Sequence, residues 1–139
     1  MITRKFENFV CIRLEKGDEV CSSLMAAVLE HGIKLGVVSG IGTLDRATVG
    51  LFKASEKKYY PNTFKGDFEI SSLTGNITTM NQKPYIHLHI AMSDVHGNTF
   101  GGHLSEGYVS ATAEIFITAC NAEVNRKYDE NIGLNLLEI

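Results

Sequence analysis

The sequence lacks long hydrophobic runs, paired-cysteine motifs and any excess of basic residues. Its apolar stretches are much shorter than the about 20 residues that a membrane-spanning helix requires. The N-terminal segment MITRKFENFVCIRLEKGDE lacks the apolar core of a signal peptide. We therefore expect a cytoplasmic protein with no membrane contact. With 139 residues, 44% of them hydrophobic and 21% charged, the composition predicts a single globular domain over residues 1–139.

The cysteines argue against a disulfide framework. Cys11, Cys21 and Cys120 are widely separated, odd in number and form no CxxC pair. We interpret them as small apolar side chains of the interior rather than as metal ligands or nucleophiles.

The charge balance gives little support to a nucleic-acid-binding function. Sixteen Asp and Glu outnumber thirteen Lys and Arg, which leaves a net charge of -3. A phosphate-binding surface needs at least a local basic excess. The nearest candidate is a loose cluster formed by Lys53, Lys57, Lys58 and Lys65. Because Glu56 and Asp67 dilute this cluster, we interpret it as a solvated loop.

One helix is predicted, over residues 18–31. Asp18 is a suitable N-cap, and Gly32 provides a left-handed stop. The apolar residues of one helix face recur at helical spacing, namely Val20, Leu24, Ala27 and Val28.

Most of the remaining chain has the period-two alternation of β-strands. The predicted strands are KFENFVCIRLE, KLGVVSGIG, DRATVGLFK, DFEISSLTGNITTM, YIHLHIAM, YVSATAEIFITACN and a short LNLLEI. The segment ASEKKYYPNTFKGD is predicted to be a polar loop or hairpin, with Pro61 as a breaker. Six to eight strands and one helix predict an α+β fold, in which a strongly bent, barrel-like antiparallel sheet packs with one main α-helix. Glycines inside the strand patterns are expected at bulges and barrel corners.

Four of the five histidines lie in YIHLHIAMSDVHGNTFGGHL, residues 85–104. In a strand His87 and His89 share one face, while Ile86, Leu88 and Ile90 point the other way. DVHGN is a turn signal, and a hairpin that closes about residue 96 places residue 89 opposite residue 103. Directly opposed residues share a face, so His103 would join the other two. His96 would lie at the tip and face solvent.

Three imidazoles on one surface can form a metal site with a fourth position open to water or a small ligand. Zinc is the first candidate and another divalent transition metal the second, because imidazole suits these ions. Exposed histidines can also alternate along a strand without binding a metal. A cupin barrel is a weaker interpretation, because Asp94 stands where that pattern requires a glutamate. Gly101 and Gly102 leave room for a ligand or a neighbouring strand, or mark a bulge.

Two carboxylates lie within apolar strand patterns. Glu69 and Glu114 would be costly to bury unless they were paired, and Arg46 is the natural partner. We favour a structural ion pair. The alternative is that one glutamate lines the metal pocket and acts as general base on a metal-bound water.

Several segments together resemble the PPC domain (plants and prokaryotes conserved), in its single-domain prokaryotic type. These segments are GDFEISSLTGNI, HLHIAMSDVHGNTFGGHL, TAEIFI and VVSGIGTLDRATVGLF. The resemblance covers nearly the whole chain. It implies an antiparallel sheet with a packed helix, a homotrimer, and His87, His89 and His103 as metal ligands.

The resemblance leaves three functions open. The first is a homotrimeric metal-binding domain whose pocket holds a small anionic ligand or substrate. The second is a regulatory or assembly module that contacts DNA or a protein, since prokaryotic members are often labelled DNA-binding proteins. This chain has neither the Arg-Gly-Arg hook of the plant members nor a basic arm. The third is a metal-dependent enzyme acting on a small ligand, with Glu69 or Glu114 as base.

Overall fold

The computed structural model describes residues 1–139 and contains one helix and eight strands. The helix, α1, spans Val20–Glu30. The strands are β1 (Ile2–Phe6), β2 (Phe9–Glu15), β3 (Gly36–Lys53), β4 (Lys58–Met80), β5 (Lys83–Ser93), β6 (Thr99–Ala119), β7 (Arg126–Asp129) and β8 (Leu134–Leu137). The chain has no helix with the length and hydrophobicity that a membrane crossing requires.

The main sheet is antiparallel and partly closed on itself. Its strand order is β1-β2-β6-β3-β4-β5, and β5 also pairs with β6. Strands β6, β3, β4 and β5 therefore form a hydrogen-bonded ring, while β7 and β8 form a separate two-stranded hairpin. The predicted α+β fold, with a strongly bent, barrel-like sheet and one main helix, is confirmed.

Long bent strands produce the ring. Strand β3 continues through the glycine-rich segment where two separate strands were predicted, so that prediction is wrong. The register shifts between Gly40 and Gly42 and between Leu44 and Arg46, while pairing with β4 and β6 continues on either side. These glycines therefore mark bulges that bend the strand without ending it.

The sequence prediction also misplaced two other strand boundaries and missed one strand. The first predicted strand is in fact the β1–β2 hairpin, whose turn contains Glu7 at a φ of 48°. Strand β4 runs through Pro61, where only β3 pairs with it, and an edge position of this kind tolerates the missing N–H. Strand β7 was not predicted, whereas the short strand predicted in LNLLEI is confirmed as β8.

The core lies between the inner face of the sheet and the helix. All four predicted helix-face residues are buried, together with inward residues of the ring strands such as Leu44, Leu88 and Ile115. Alternate residues of the ring strands consequently point outward, and the candidate site lies on that outer face.

The interpretation of the cysteines as interior residues is only partly correct. Cys11 and Cys21 are partly buried, but Cys120 is exposed because it follows the end of β6. Burial and the adjacent Glu19 carboxylate raise the pKa of the Cys21 thiol to about 12, so this thiol is protonated and unreactive at neutral pH.

Glu19, rather than the predicted Asp18, caps the helix. The Asp18 carboxylate instead accepts a hydrogen bond from the backbone N–H of Glu15 and pairs with the N-terminal amine of Met1 at 2.8 Å. The Glu19 carboxylate accepts hydrogen bonds from the backbone N–H groups of Cys21, Ser22 and Gly107. Burial opposes the charged form of Glu19, but these three donors outweigh it and hold its pKa below the usual value.

We expect Glu19→Ala to lower the free energy of unfolding by about 1–2 kcal/mol, as loss of a helix N-cap does. We expect a loss of unfolding free energy at the upper end of this range, because the hydrogen bond from Gly107 to Glu19 also connects the helix to β6. Urea denaturation of Glu19→Ala and of Glu138→Ala, a carboxylate with no hydrogen-bond partner for its side chain, tests this. Equal midpoints for the two variants would show that the cap contributes nothing.

Candidate metal centre

A tight turn brings the two histidine-bearing strands together. Strand β5 ends at Ser93 and β6 begins at Thr99. The Asp94 carboxylate accepts hydrogen bonds from the backbone N–H groups of His96 and Asn98, both at 2.9 Å. The predicted turn is confirmed, and His96 is exposed at its tip as expected. Because Asp94 is engaged in the turn, it does not supply the carboxylate that a cupin site requires.

The register of this hairpin is the predicted one. His89 of β5 lies directly opposite His103 of β6. The residues that flank His89, Leu88 and Ile90, are only 2% and 4% exposed and belong to the core. His87 and His89 therefore project from the outer face of the sheet, and the opposed pair brings His103 beside them.

The three imidazoles form a compact cluster. Their ring centroids are separated by 5.1 Å (His87–His89), 5.0 Å (His87–His103) and 5.6 Å (His89–His103). Each ring offers one nitrogen, and these three nitrogens lie within 4.8 Å of one another. Nitrogen ligands at about 2.1 Å from a tetrahedral zinc are about 3.4 Å apart, so modest side-chain rotations would close the cluster around one ion.

The surroundings of the cluster lower the pKa of two of its imidazoles, His87 and His103. His87 and His103 are half-buried, whereas His89 is exposed. Burial, followed by the charges of His103, His89 and Arg126, lowers the pKa of His87 to about 4. Burial and the His89 charge also lower the pKa of His103. Neutral imidazole is the form that binds metal, so the lowered pKa values of His87 and His103 favour metal binding by these two rings at neutral pH.

The metal-free protein is expected to lose stability between about pH 6.5 and pH 4, from the ordinary pKa of His87 down to its value in the folded chain. In that range the unfolded chain binds a proton at His87 that the folded chain does not bind. The free energy of unfolding therefore decreases as the pH is lowered. Above pH 6.5 this histidine causes no dependence. Thermal unfolding at pH 7.5 and pH 5 tests this, and His87→Gln should reduce the difference in Tm. A variant with the same pH dependence as wild type would contradict it.

Three neighbouring side chains that the sequence did not indicate as site residues support the cluster. The Tyr59 hydroxyl donates to the His103 carbonyl oxygen at 3.2 Å, and its ring meets the His103 ring edge-on at 5.7 Å. Asn76 of β4 lies directly opposite His87. The Arg126 guanidinium donates to Asn76 Oδ1 at 2.8 Å. The contacts of Tyr59 with His103 and of Arg126 with Asn76 join residues far apart in the chain, so strand periodicity could not reveal them.

Gly101 and Gly102 give clearance to neighbouring strands. A Cβ on Gly101 would overlap the carbonyl oxygen of Ile90 on β5. A Cβ on Gly102 would lie 2.6 Å from the carbonyl oxygen of Gly50 on β3. The sequence left open whether a ligand or a neighbouring strand approaches these glycines. The structure shows that neighbouring strands do.

The expected burial of Glu69 and Glu114 and their expected pairing with Arg46 are both wrong. Both glutamates are exposed, because their strand neighbours Ile70 and Ile115 occupy the inward positions. Neither carboxylate forms an ion pair with Arg46. The Arg46 guanidinium instead stacks on the Tyr108 ring at 3.8 Å, with a buried Nε that has no hydrogen-bond partner. No ion pair or ring contact joins any of these three residues to the histidine cluster.

The donor set suits a transition metal. Three imidazole nitrogens with no carboxylate among them are typical ligands of zinc and its divalent neighbours, and not of calcium or magnesium. Three protein ligands also leave a fourth position free, which is characteristic of sites that bind water or a small molecule.

The fold and this cluster together define a class: small, partly closed β-barrel proteins with a candidate three-histidine centre on the outer face of the sheet. The chain belongs to the Plants and Prokaryotes Conserved (PCC) domain family, whose model matches residues 1–121. This family, also abbreviated PPC, is the one that the sequence motifs resemble.

Solved structures and a curated protein are also similar to this chain. This chain is similar to a "putative DNA binding protein" from Bacteroides thetaiotaomicron, with 31% identity, a TM-score of 0.96, and coverage of 99% of this chain and 96% of that chain. It is also similar to the metal-containing protein AF0104 from Archaeoglobus fulgidus, with 27% identity, a TM-score of 0.89, and coverage of 100% and 99%.

The curated relative is the bifunctional protein GlmU from Synechococcus sp. (strain JA-3-3Ab). It is 31% identical to this chain over 108 residues, which is 76% of this chain. The match spans only 16% of the length of that relative.

Proposed function

We propose that this chain is a metal-binding protein in which His87, His89 and His103 hold one divalent transition ion, zinc first, with a coordination position open to a small ligand. The observation that carries this proposal is the convergence of three imidazole nitrogens within 4.8 Å on one sheet face. The metal content of the Archaeoglobus fulgidus neighbour supports it. The bound ion would supply a Lewis acid at that position, and the three histidines would fix it against the rigid ring of strands.

Elemental analysis tests this directly. The protein should be purified without a nickel column and analysed after dialysis against metal-free buffer. We expect about one equivalent of a transition metal per chain, or uptake of one equivalent when Zn²⁺ is returned to protein stripped by a chelator. Wild-type protein that neither retains nor takes up metal would end this proposal.

We further propose that the protein is a cytoplasmic homotrimer, as the family resemblance implies. The outer face of the sheet carries exposed apolar side chains, including Val37 and Ile41 of β3, which favours self-association. Sedimentation equilibrium at micromolar concentration tests the trimer, and a monomer would contradict it.

DNA binding is a second candidate, supported by the name of the Bacteroides neighbour. The lysine cluster is a weak basis for it. Lys53 pairs with the Glu56 carboxylate, and the Lys57 ammonium donates to the Glu130 carbonyl oxygen at 2.7 Å. Phosphate contacts release counterions, so binding that decreases steeply with salt and is lost in a Lys57→Ala, Lys58→Ala variant would favour this function. Absent or salt-independent binding would remove it.

A further inference from the structure

One arginine beside the candidate centre is buried without an anionic partner. Arg126 is only 9% exposed. Its guanidinium donates to Thr78 Oγ1, to the Asn135 carbonyl oxygen and to Asn76 Oδ1, each at 2.8 Å. It also lies 4.8 Å from the centroid of the Tyr85 ring. All of these partners are neutral, although a buried arginine ordinarily pairs with a carboxylate or phosphate.

Strand register places this charge next to the histidines. Thr78 lies opposite Tyr85, and Asn76 lies opposite His87. Alternate residues of a strand share a face, so the cross-strand pair of Thr78 and Tyr85 lies beside the pair of Asn76 and His87 on the outer face. Arg126 covers the first pair and reaches the second through its bond to Asn76. The hairpin that carries Arg126 begins after residue 121, where the family match ends.

The hydrogen-bonding capacity near His87 is not exhausted. A guanidinium has five N–H groups, and the three bonds of Arg126 leave one N–H free on each terminal nitrogen. Because Asn76 Oδ1 accepts from Arg126, the Asn76 amide is fixed with its NH₂ group as the remaining donor. Positive charge and N–H donors beside an open metal position are complementary to an oxyanion.

We infer that Asn76 and Arg126 form an oxyanion subsite, so that the open position takes a carboxylate or phosphate group with one oxygen on the metal and another on these donors. This inference rests on the metal site proposed above, and it assigns the ligand class of that site.

The test uses protein loaded with Co²⁺, whose visible absorption reports changes in its ligands. Wild-type protein is titrated in parallel with inorganic phosphate and with acetate, and chloride serves as a monatomic control. We expect at least one oxyanion to change the spectrum saturably at concentrations where chloride has no effect. The oxyanion that saturates at the lower concentration identifies the ligand as a phosphate or a carboxylate.

The decisive variant is Asn76→Asp, which gives Arg126 a carboxylate of nearly the same shape and keeps the hairpin docked. We expect it to retain Co²⁺ and to bind the oxyanion about tenfold more weakly, or worse, as loss of a hydrogen bond to a charged group does. Asn8→Asp adds the same charge in the exposed β1–β2 turn and should behave like wild type. Arg126→Gln should show the same loss of oxyanion affinity with Co²⁺ retained, independently of Asn76.

The outcomes separate this inference from the proposed function. Wild-type protein that binds Co²⁺ but shows no response to either oxyanion, or the same response to chloride, overturns the subsite and leaves the metal site standing. Asn76→Asp and Arg126→Gln with wild-type oxyanion affinity also overturn it. Wild-type protein that binds no Co²⁺ overturns both.

Discussion

His103→Ala is expected to weaken zinc binding by more than about 100-fold. Loss of a residue that merely orients a metal ligand already costs about 10- to 100-fold, and this substitution removes a ligand itself. Of the three proposed ligands, His103 is the one on β6, and its removal leaves only the His87 and His89 pair of β5. Competition titration against a chromogenic zinc chelator measures the change.

The chain offers a matched control in His96→Ala. His96 is in the same hairpin but is exposed at the tip of the turn, and the Asp94 carboxylate bonds to its backbone N–H rather than to its ring. We expect wild-type zinc affinity for this variant. Equal losses in the two variants would indicate nonspecific binding by surface histidines, and no loss in His103→Ala would place the metal elsewhere.

Gly101→Ala is expected to destabilise the protein by about 3 kcal/mol, at the upper end of single substitutions. The added Cβ would overlap the carbonyl oxygen of Ile90, and the strands must separate to relieve this. Gly101 lies opposite Ala91, two positions along the strands from the His89–His103 pair. The separation should therefore weaken metal binding as well. Denaturant unfolding and the chelator titration together measure both effects.

Gly107→Ala serves as the control because Gly107 is buried in the same strand. A Cβ there would lie 3.4 Å from Leu44 Cδ1, which is ordinary van der Waals contact with a flexible side chain. We expect a change in unfolding free energy of less than about 1 kcal/mol and unchanged zinc affinity. Comparable destabilisation by both substitutions would show that close approach at Gly101 does not matter.

The histidine cluster could be predicted because its causes are local. Alternation along one strand places His87 and His89 together, and a turn signal centred at residue 96 places His103 opposite His89. Both rules act over a few residues, so a single sequence contains the information. The helix face and the strongly bent sheet were predictable for the same reason.

The rest of the site could not be predicted because its contacts cross the chain. Arg126 reaches Asn76 through a hairpin whose docking position no local pattern encodes. The interpretation of Glu69 and Glu114 was wrong for a related reason: it took carboxylates within apolar strand patterns to be buried, whereas in this chain the helix and core cover only the inner face and both glutamates point outward. Similarly, glycines that resemble strand breaks in sequence act as bulges once neighbouring strands are present on both sides.

The most direct test of the proposed metal site is anomalous diffraction from crystals grown with Zn²⁺, with data collected on both sides of the zinc absorption edge. We predict one anomalous peak per chain, about 2.1 Å from a ring nitrogen of each of His87, His89 and His103. Ordered histidine side chains with no anomalous peak between them, or a peak only at some other group, would contradict the three-histidine centre.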